Sequence, residues 1–362
     1  MRVGLIIYGE LSTLSGGYLY DRKLVEYLRS QGDEVEIISL PWRDYLRHYQ
    51  DNFNPAFRER LRQLRVDVLL QDELNHPSLF LLNVNLKKTV RYPLVSIVHH
   101  LRCNEQHPSL LRWWYRQVER IYLNSVDGFI CNSRTTLETV EGLIKNPKPA
   151  VVATPGGDAL PLKTVPHSIP HNPNAVVQFL FVGNWIPRKG LHILLEALQP
   201  LSSQSWRLSL VGRTNLMPSY ERKIRHRIAA SGLSEKVHIH GAVLNEDLVR
   251  LWQSADVLVV PSQYEGFGIV YLEAMRFGVI PIGGKDGAAG EIIQSGINGF
   301  LVRPDSPAEL SNLLATLIAD ASLRNAIKQA ARQRYEQFPA WQQSMAAVRR
   351  FLIENFLGKT WS

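Results

Sequence analysis

Short apolar, β-branched runs alternate with helical runs along the whole chain, and one stretch rich in proline and glycine divides them into two series. Val3–Tyr8 is apolar and β-rich, and Tyr18–Ser30 then spaces Leu19, Leu24, Val25 and Leu28 along one helical face. Gln31-Gly32 stops that helix, and Glu34–Leu40 alternates as a second strand. Val66–Leu70, Leu94–Val98 and Gly128–Cys131 read as further buried strands. Strands separated by helices, with no tandem hairpins, imply parallel β-α-β units. Between 155 and 178, Pro155, Gly156, Gly157, Pro161, Pro166, Pro170 and Pro173 break any regular pattern and predict a linker.

The alternation then restarts. Strands are predicted at Val176–Val182, Trp206–Val211, Val237–His240, Val257–Val260 and Val279–Ile282. Helices are predicted at Leu191–Leu198, Tyr220–Ser231, Glu246–Ser254 and Tyr271–Phe277. From Pro307 to Leu357 the chain reads as helices with a break near Phe338-Pro339. The expected class is α/β, with two doubly wound Rossmann-like domains.

A length of 362 residues with 45% apolar and 20% charged residues suits two ordered domains and argues against disorder. No run approaches the ~18 apolar residues of a membrane span. The N-terminus opens as a strand and lacks the pattern of a signal peptide. Two cysteines, Cys103 and Cys131, argue against a disulfide framework and for a reducing cytoplasm. The net charge is +8, yet no block of five or six like charges marks a nucleic-acid tail, so no nucleic-acid partner is expected. A mild basic excess suits anionic small molecules or an anionic membrane surface, or reflects an ordinary surface balance.

The most informative stretch is Pro261–Met275, which follows a predicted buried strand and enters a helix. Ligands in open parallel sheets bind beyond the carboxyl ends of strands. Gly266 and Gly268 let a backbone approach a ligand, and the helix start offers unpaired N–H groups to a phosphate. Glu265 precedes the helix and Glu273 lies about two turns along it, a spacing that lets them meet different parts of one ligand. A capping acid followed by a solvated glutamate explains the same spacing without a ligand.

Glu265 and Glu273 form a Glu-x7-Glu pair inside EGFGIVYLEAMRFG, which resembles the signature of the family-four retaining glycosyltransferases of GT-B architecture. The likeness extends in order through Ser15-Gly16-Gly17, Phe181-Val182-Gly183, Pro187-Arg188-Lys189-Gly190, Leu210-Val211-Gly212, Val237–Gly241, Ala255-Asp256-Val257 and Ser295–Phe300. The resemblance implies two domains facing a central cleft. Residues 1–165 plus about 341–362 would form an N-terminal acceptor-side domain, and 174–340 the donor domain. It implies a hexosyltransferase that moves a sugar from a nucleotide-sugar to an acceptor hydroxyl with retention of anomeric configuration. The acceptor would be a glycan, a lipid-linked species or a small molecule, in glycan or glycolipid biosynthesis. No cofactor and no metal are expected, and the sequence has no Asp-x-Asp triplet to chelate a nucleotide-bound cation.

Carried over residue by residue, the resemblance makes Lys189 the cation on the diphosphate and Glu273 the acceptor of ribose hydroxyl bonds. Glu265 would hold the sugar as a catalytic residue, with the backbone of Phe267 and Gly268 facing phosphate or sugar. Gly17 would line the donor, and Arg213 and the Val243 backbone would lie near the base. The position after Gly183 commonly holds a second phosphate-binding arginine, but here it is Asn184. Either Arg188 takes that role or Lys189 acts with fewer partners.

In the first half, the predicted strand Leu94–Val98 ends at His99-His100, and the resemblance makes His99 the better candidate for a catalytic sugar contact. A histidine bonded to a nearby carbonyl is the plainer reading. His99, His100, Cys103 and His107 match no common zinc spacing. Arg112-Trp113-Trp114-Tyr115-Arg116 interleaves aromatics with cations. It reads as a peripheral contact with the inner face of a membrane, a sugar-stacking string, or a helix with one aromatic face buried and its arginines solvated. A nicotinamide dehydrogenase is disfavoured because Gly4, Gly9, Gly16 and Gly17 do not supply Gly-x-Gly-x-x-Gly. A pyridoxal-type phosphorylase is expected to be much larger. A GT-B nucleotide-sugar epimerase and a non-catalytic sugar-nucleotide-binding protein remain as alternatives.

Overall fold

The computed structural model describes residues 1–160 and 176–357. The Pro161–Pro173 part of the predicted linker lies outside the described residues. The chain divides into two units, Met1–Pro155 with Pro339–Ser362, and Gly156–Phe338.

The first unit holds strands β1 (Arg2–Tyr8), β2 (Glu34–Leu40), β3 (Val68–Asp72), β4 (Leu94–Val98), β5 (Gly128–Cys131) and β6 (Ala150–Val152). They form one parallel sheet in the order β2-β1-β3-β4-β5-β6. β1, β4 and β5 are near-continuous apolar runs, and these strands and β3 are buried almost throughout, as a sheet covered on both faces requires. Helix Gly16–Ser30 starts where the Ser15 hydroxyl accepts from the Tyr18 N–H, and it buries Tyr18, Tyr20, Leu24, Val25 and Leu28. Helix Trp341–Phe356 packs on Gly16–Ser30 and β6. Its Ser344 hydroxyl donates to the Thr154 carbonyl, and its Arg349 pairs with Asp33.

The second unit holds β7 (Val177–Val182), β8 (Trp206–Val211), β9 (Val237–Gly241), β10 (Val257–Val260), β11 (Ile280–Gly284) and β12 (Phe300–Val302). Its parallel order is β12-β11-β10-β7-β8-β9. Trp185, Trp206 and Trp252 are fully buried in its core.

The predicted alternation is present in both sheets, with shifts of a few residues at element ends. Two edge strands, β6 and β12, are additional; each has only three residues, too few to show a period. The predicted strand Val66–Leu70 lies two residues later, at Val68–Asp72. Its last residues, Gln71 and Asp72, are polar yet buried, so apolar patterning stops short of the true end.

Candidate functional site

In each sheet the strand order reverses beside the first strand of its unit: β1 lies between β2 and β3, and β7 lies between β8 and β10. Such reversals open a crevice beyond the carboxyl ends of the strands, where open α/β sheets take their ligands.

In the second unit, the loops after β7 and β10 meet at that point. Gly190 adopts a φ of 72°, and a Cβ there would lie 2.2 Å from the Pro261 carbonyl oxygen. Only glycine allows both the left-handed backbone and this close approach. The Gln263 N–H donates to the Arg188 carbonyl at 2.8 Å, fixing the loops together. The Lys189 ammonium then reaches Glu265 Oε1 at 2.5 Å, and the Ser262 hydroxyl donates to the same oxygen at 2.6 Å. The Arg188 guanidinium donates to the Tyr264 carbonyl at 2.7 Å and stands 3.9 Å from Glu265 Oε2.

Burial alone would raise the Glu265 pKa, but Lys189, Arg188 and Ser262 outweigh it and hold the carboxyl at about 2. Burial pulls the Lys189 ammonium below its ordinary value, against the attraction of Glu265. Glu265 is further fixed by its backbone: its carbonyl accepts from the Ala288 N–H at 2.8 Å.

Gly268, at a φ of 97°, turns the chain into helix Ile269–Arg276. Glu273 is buried on that helix, and burial lifts its carboxyl to about 7 against the pull of Arg276. The Phe267 side chain is buried and meets Phe338 edge-on at 6.4 Å. Asn184 accepts from the Arg213 N–H at 3.4 Å, while the Arg213 carbonyl accepts from the Trp185 N–H at 2.9 Å. Asn184 thereby ties the β7 loop to the β8 loop. Val243 is half-buried against the core. Lys189, Arg188 and Glu265 are brought into one cluster, and Asn184 and Arg213 into another.

In the first unit, His99 follows β4, and Asp72 ends β3 beside it. His99 Nε2 lies 3.3 Å from Asp21 Oδ1, on helix Gly16–Ser30. The Asn132 amide donates to the His99 carbonyl at 2.9 Å, and the Tyr20 ring stands edge-on at 5.3 Å. Gly17 belongs here: a Cβ on it would lie 3.0 Å from His99 Cδ2. Burial would pull the His99 pKa down, but the hydrogen bond and charge of Asp21, with Asp72 and Glu73, raise it to about 9. Burial and Asp21 push Asp72 up to about 8, against the opposing pull of His99. Asp21, Asp72 and His99 thus form one buried polar cluster beyond the ends of β3 and β4.

Asp21, Asp72 and Ser262 escape a reading of the sequence. The signal for Asp72 is a carboxylate at a strand end; none marks Asp21, which is 78 residues from its partner. His100 and His107 instead share Glu105, at 3.0 and 3.4 Å. Asp21, Asp72 and His99 gather three ligand atoms within 4.8 Å, as do Glu73, His76 and Glu119. Neither set includes Cys103 or His107. In the second set the His76 ring bonds the Tyr45 hydroxyl at 2.9 Å, and both Glu119 oxygens accept backbone N–H groups of Arg102 and Cys103.

Residues 167–334 match the family model described as Glycosyl transferases group 1, and residues 20–159 match Glycosyltransferase Family 4. The chain is 26% identical to the phosphatidyl-myo-inositol mannosyltransferase of Mycobacterium leprae, over 90% of this chain and 89% of that protein. It spans less than half the length of the first curated relatives it matches. Among solved structures, it superposes on sucrose-phosphate synthase from Thermosynechococcus elongatus with a TM-score of 0.84, at 19% identity, covering 99% of this chain and 100% of that one. It also superposes on the Anabaena HepE protein in complex with UDP and glucose, with a TM-score of 0.75 at 18% identity, covering 97% and 99%. The fold is that of the GT-B glycosyltransferases.

Proposed function

We propose that this chain, with its GT-B fold and its two halves matching glycosyltransferase models, is a glycosyltransferase that transfers a hexose from a nucleotide-sugar to an acceptor hydroxyl with retention. The observation that carries the reading is the Lys189–Arg188–Glu265 cluster at the strand-order reversal of the second unit. Departure of a nucleotide builds negative charge on the diphosphate. Cations fixed in advance stabilise that charge without reorganising during the reaction.

Lys189 is held in position by Glu265 before any ligand arrives, and Arg188 is the second cation in place of an arginine at position 184. Glu265 stays ionised across the physiological range and favours the partial positive charge that develops on the anomeric carbon. Glu273 meets the ribose, and the Phe267 and Gly268 backbone the phosphate or sugar. Arg213 and Val243 lie toward the base. In the first unit, His99 is the sugar contact, and Gly17 leaves the room that its ring occupies.

UDP and glucose in the HepE structure make UDP-sugars the first donors to try. The phosphatidyl-myo-inositol mannosyltransferase that the chain matches over most of its length makes a lipid-linked polyol the first acceptor class. The reaction is proposed to be cytoplasmic and metal-independent. Titration calorimetry with UDP-, GDP- and ADP-sugars tests the donor, and NMR of the anomeric centre in the product tests retention. Binding of no nucleotide-sugar, or an inverted product, overturns the respective part of the reading.

A further inference from the structure

The function proposed above draws on the set around His99 and leaves the second set, Glu73, His76 and Glu119, without a role. Glu73 and His76 follow the end of β3, and Glu119 lies on the inner side of helix Ser109–Ser125. Their three ligand atoms all lie within 4.8 Å of one another. All three residues are buried, with Glu73 5% exposed, His76 2% and Glu119 0%.

The bonding of this set is incomplete at one atom. His76 Nδ1 faces two oxygens of Glu73, the backbone carbonyl at 3.0 Å and the carboxylate Oε1 at 2.9 Å. A ring nitrogen carries at most one proton, and the hydrogen bond goes to the carbonyl. Glu73 Oε1 is left without a hydrogen bond although it is sealed from solvent. A buried carboxylate oxygen with neither a donor nor a cation is costly. No lysine or arginine forms a salt bridge with Glu73 or Glu119 among the described residues. The Arg102 guanidinium lies instead over the Tyr45 and Tyr115 rings, 4.8 Å from each.

The groups around the set hold it in place. The Tyr45 hydroxyl stands 2.9 Å from His76 Nε2. With the ring proton on Nε2 and donated to that hydroxyl, Nδ1 turns a lone pair toward Glu73 Oε1. Glu119 Oε1 and Oε2 accept the Arg102 and Cys103 N–H groups at 2.6 and 3.2 Å, and each oxygen keeps a second lone pair. Outer bonds of this kind orient the ligands of a metal ion.

We infer that Glu73, His76 and Glu119 bind one zinc ion, which ties the end of β3 to helix Ser109–Ser125. Ligands about 2.0–2.2 Å from a single ion stand roughly 3 Å or more from each other. Glu73 Oε1 and His76 Nδ1, at 2.9 Å, are already close to that spacing. An imidazole with two carboxylates suits zinc, whereas calcium and magnesium take oxygen ligands. The ion belongs to the first unit, and the cations proposed for the diphosphate belong to the second, so it has no part in the transfer proposed above.

Zinc binding by the untagged full chain, stripped with a chelator and dialysed, tests this in competition with a chromophoric chelator. One zinc per chain is expected, with a raised melting temperature that magnesium does not reproduce. Tyr45→Phe, which removes only an outer bond, should weaken binding about tenfold, and Glu73→Gln, which removes a ligand, about a hundredfold or more. Circular dichroism of the metal-free proteins establishes that both variants fold, and Glu119→Gln repeats the test from the helix side should Glu73→Gln not fold. Absence of stoichiometric zinc binding by the wild type overturns the inference, because a proton then satisfies Glu73. Unchanged affinity in the glutamate variant also overturns it, because the ion then sits elsewhere. So does loss of the ion in Asp21→Asn with retention in the glutamate variant, which would place it beside His99.

Discussion

The two units share a parallel six-stranded sheet and a reversal of strand order at the first strand, yet their strand-end clusters are electrostatic opposites. In the second unit two cations surround one carboxylate, and Glu265 is held ionised at about 2. In the first unit two aspartates and Glu73 surround one ring, with His99 raised to about 9 and Asp72 to about 8. Burial is common to both and would neutralise every group. What differs is which sign is in the majority, and the minority group is then held charged. The sheet sets where a site lies, and the loop residues set what it can stabilise.

The largest expected effect is on the pH dependence of stability. Glu265 has a folded pKa below its ordinary 4.5, so its contribution is present above that value and lost as pH falls toward about 2. His99 has a folded pKa above its ordinary 6.5, so its contribution is complete below that value and lost as pH rises through about 9. Asp72 acts in the same sense as His99, because its folded form also holds its proton more tightly. Each arm is worth on the order of a few kcal/mol. Melting temperature against pH should flatten on the acid side in Glu265→Gln and on the alkaline side in His99→Gln. The same arm flattening in both variants would dissolve the contrast between the units.

Next in size is Lys189→Ala, expected to weaken nucleotide-sugar binding by ~1.5–3 kcal/mol while leaving nucleoside binding nearly unchanged. Calorimetry with both ligands measures this. Equal losses would make Lys189 a support of Glu265 alone. Glu265→Gln should lower kcat by ~10-fold, or ~1.4 kcal/mol, whereas Glu273→Gln should raise KM more than it lowers kcat. Steady-state kinetics on one donor separates these, and the opposite pattern exchanges the two roles.

The smallest effect tests the first unit. Gly17→Ala places a methyl 3.0 Å from the His99 ring, which must give by a few tenths of an ångström. A helical alanine is favoured over glycine by ~1 kcal/mol, so the melting temperature should hardly move while kcat/KM falls a few-fold. A raised melting temperature with full activity would separate His99 from the reaction.

The fold is legible in the sequence because parallel strands buried on both faces leave apolar runs that no other class leaves so regularly. β10, Val257–Val260, shows this with every residue buried. β12 has three residues at a sheet edge and leaves no such run. The clusters are less legible. Lys189 and Glu265 are each marked by their place after a strand, but as contacts to different parts of a ligand; that they bond each other depends on Gly190 letting two loops touch. Asp21 lies on the buried side of an otherwise apolar helix face, and only the return of β4 explains it.

The helix Trp341–Phe356 has a consequence for the order in which the chain is made. It buries Trp341, Met345, Val348, Phe351, Leu352 and Phe356, and the Phe356 ring fills the space that Gly128 leaves. The first unit is therefore built from two stretches of chain that flank the second, whereas the second is one unbroken stretch. Synthesis runs from the N-terminus, and domains usually mature in that sequence. Here the order reverses: the segment emerging later can complete its interior first. The segment emerging first keeps an apolar seam open to the solvent until helix Trp341–Phe356 leaves the ribosome.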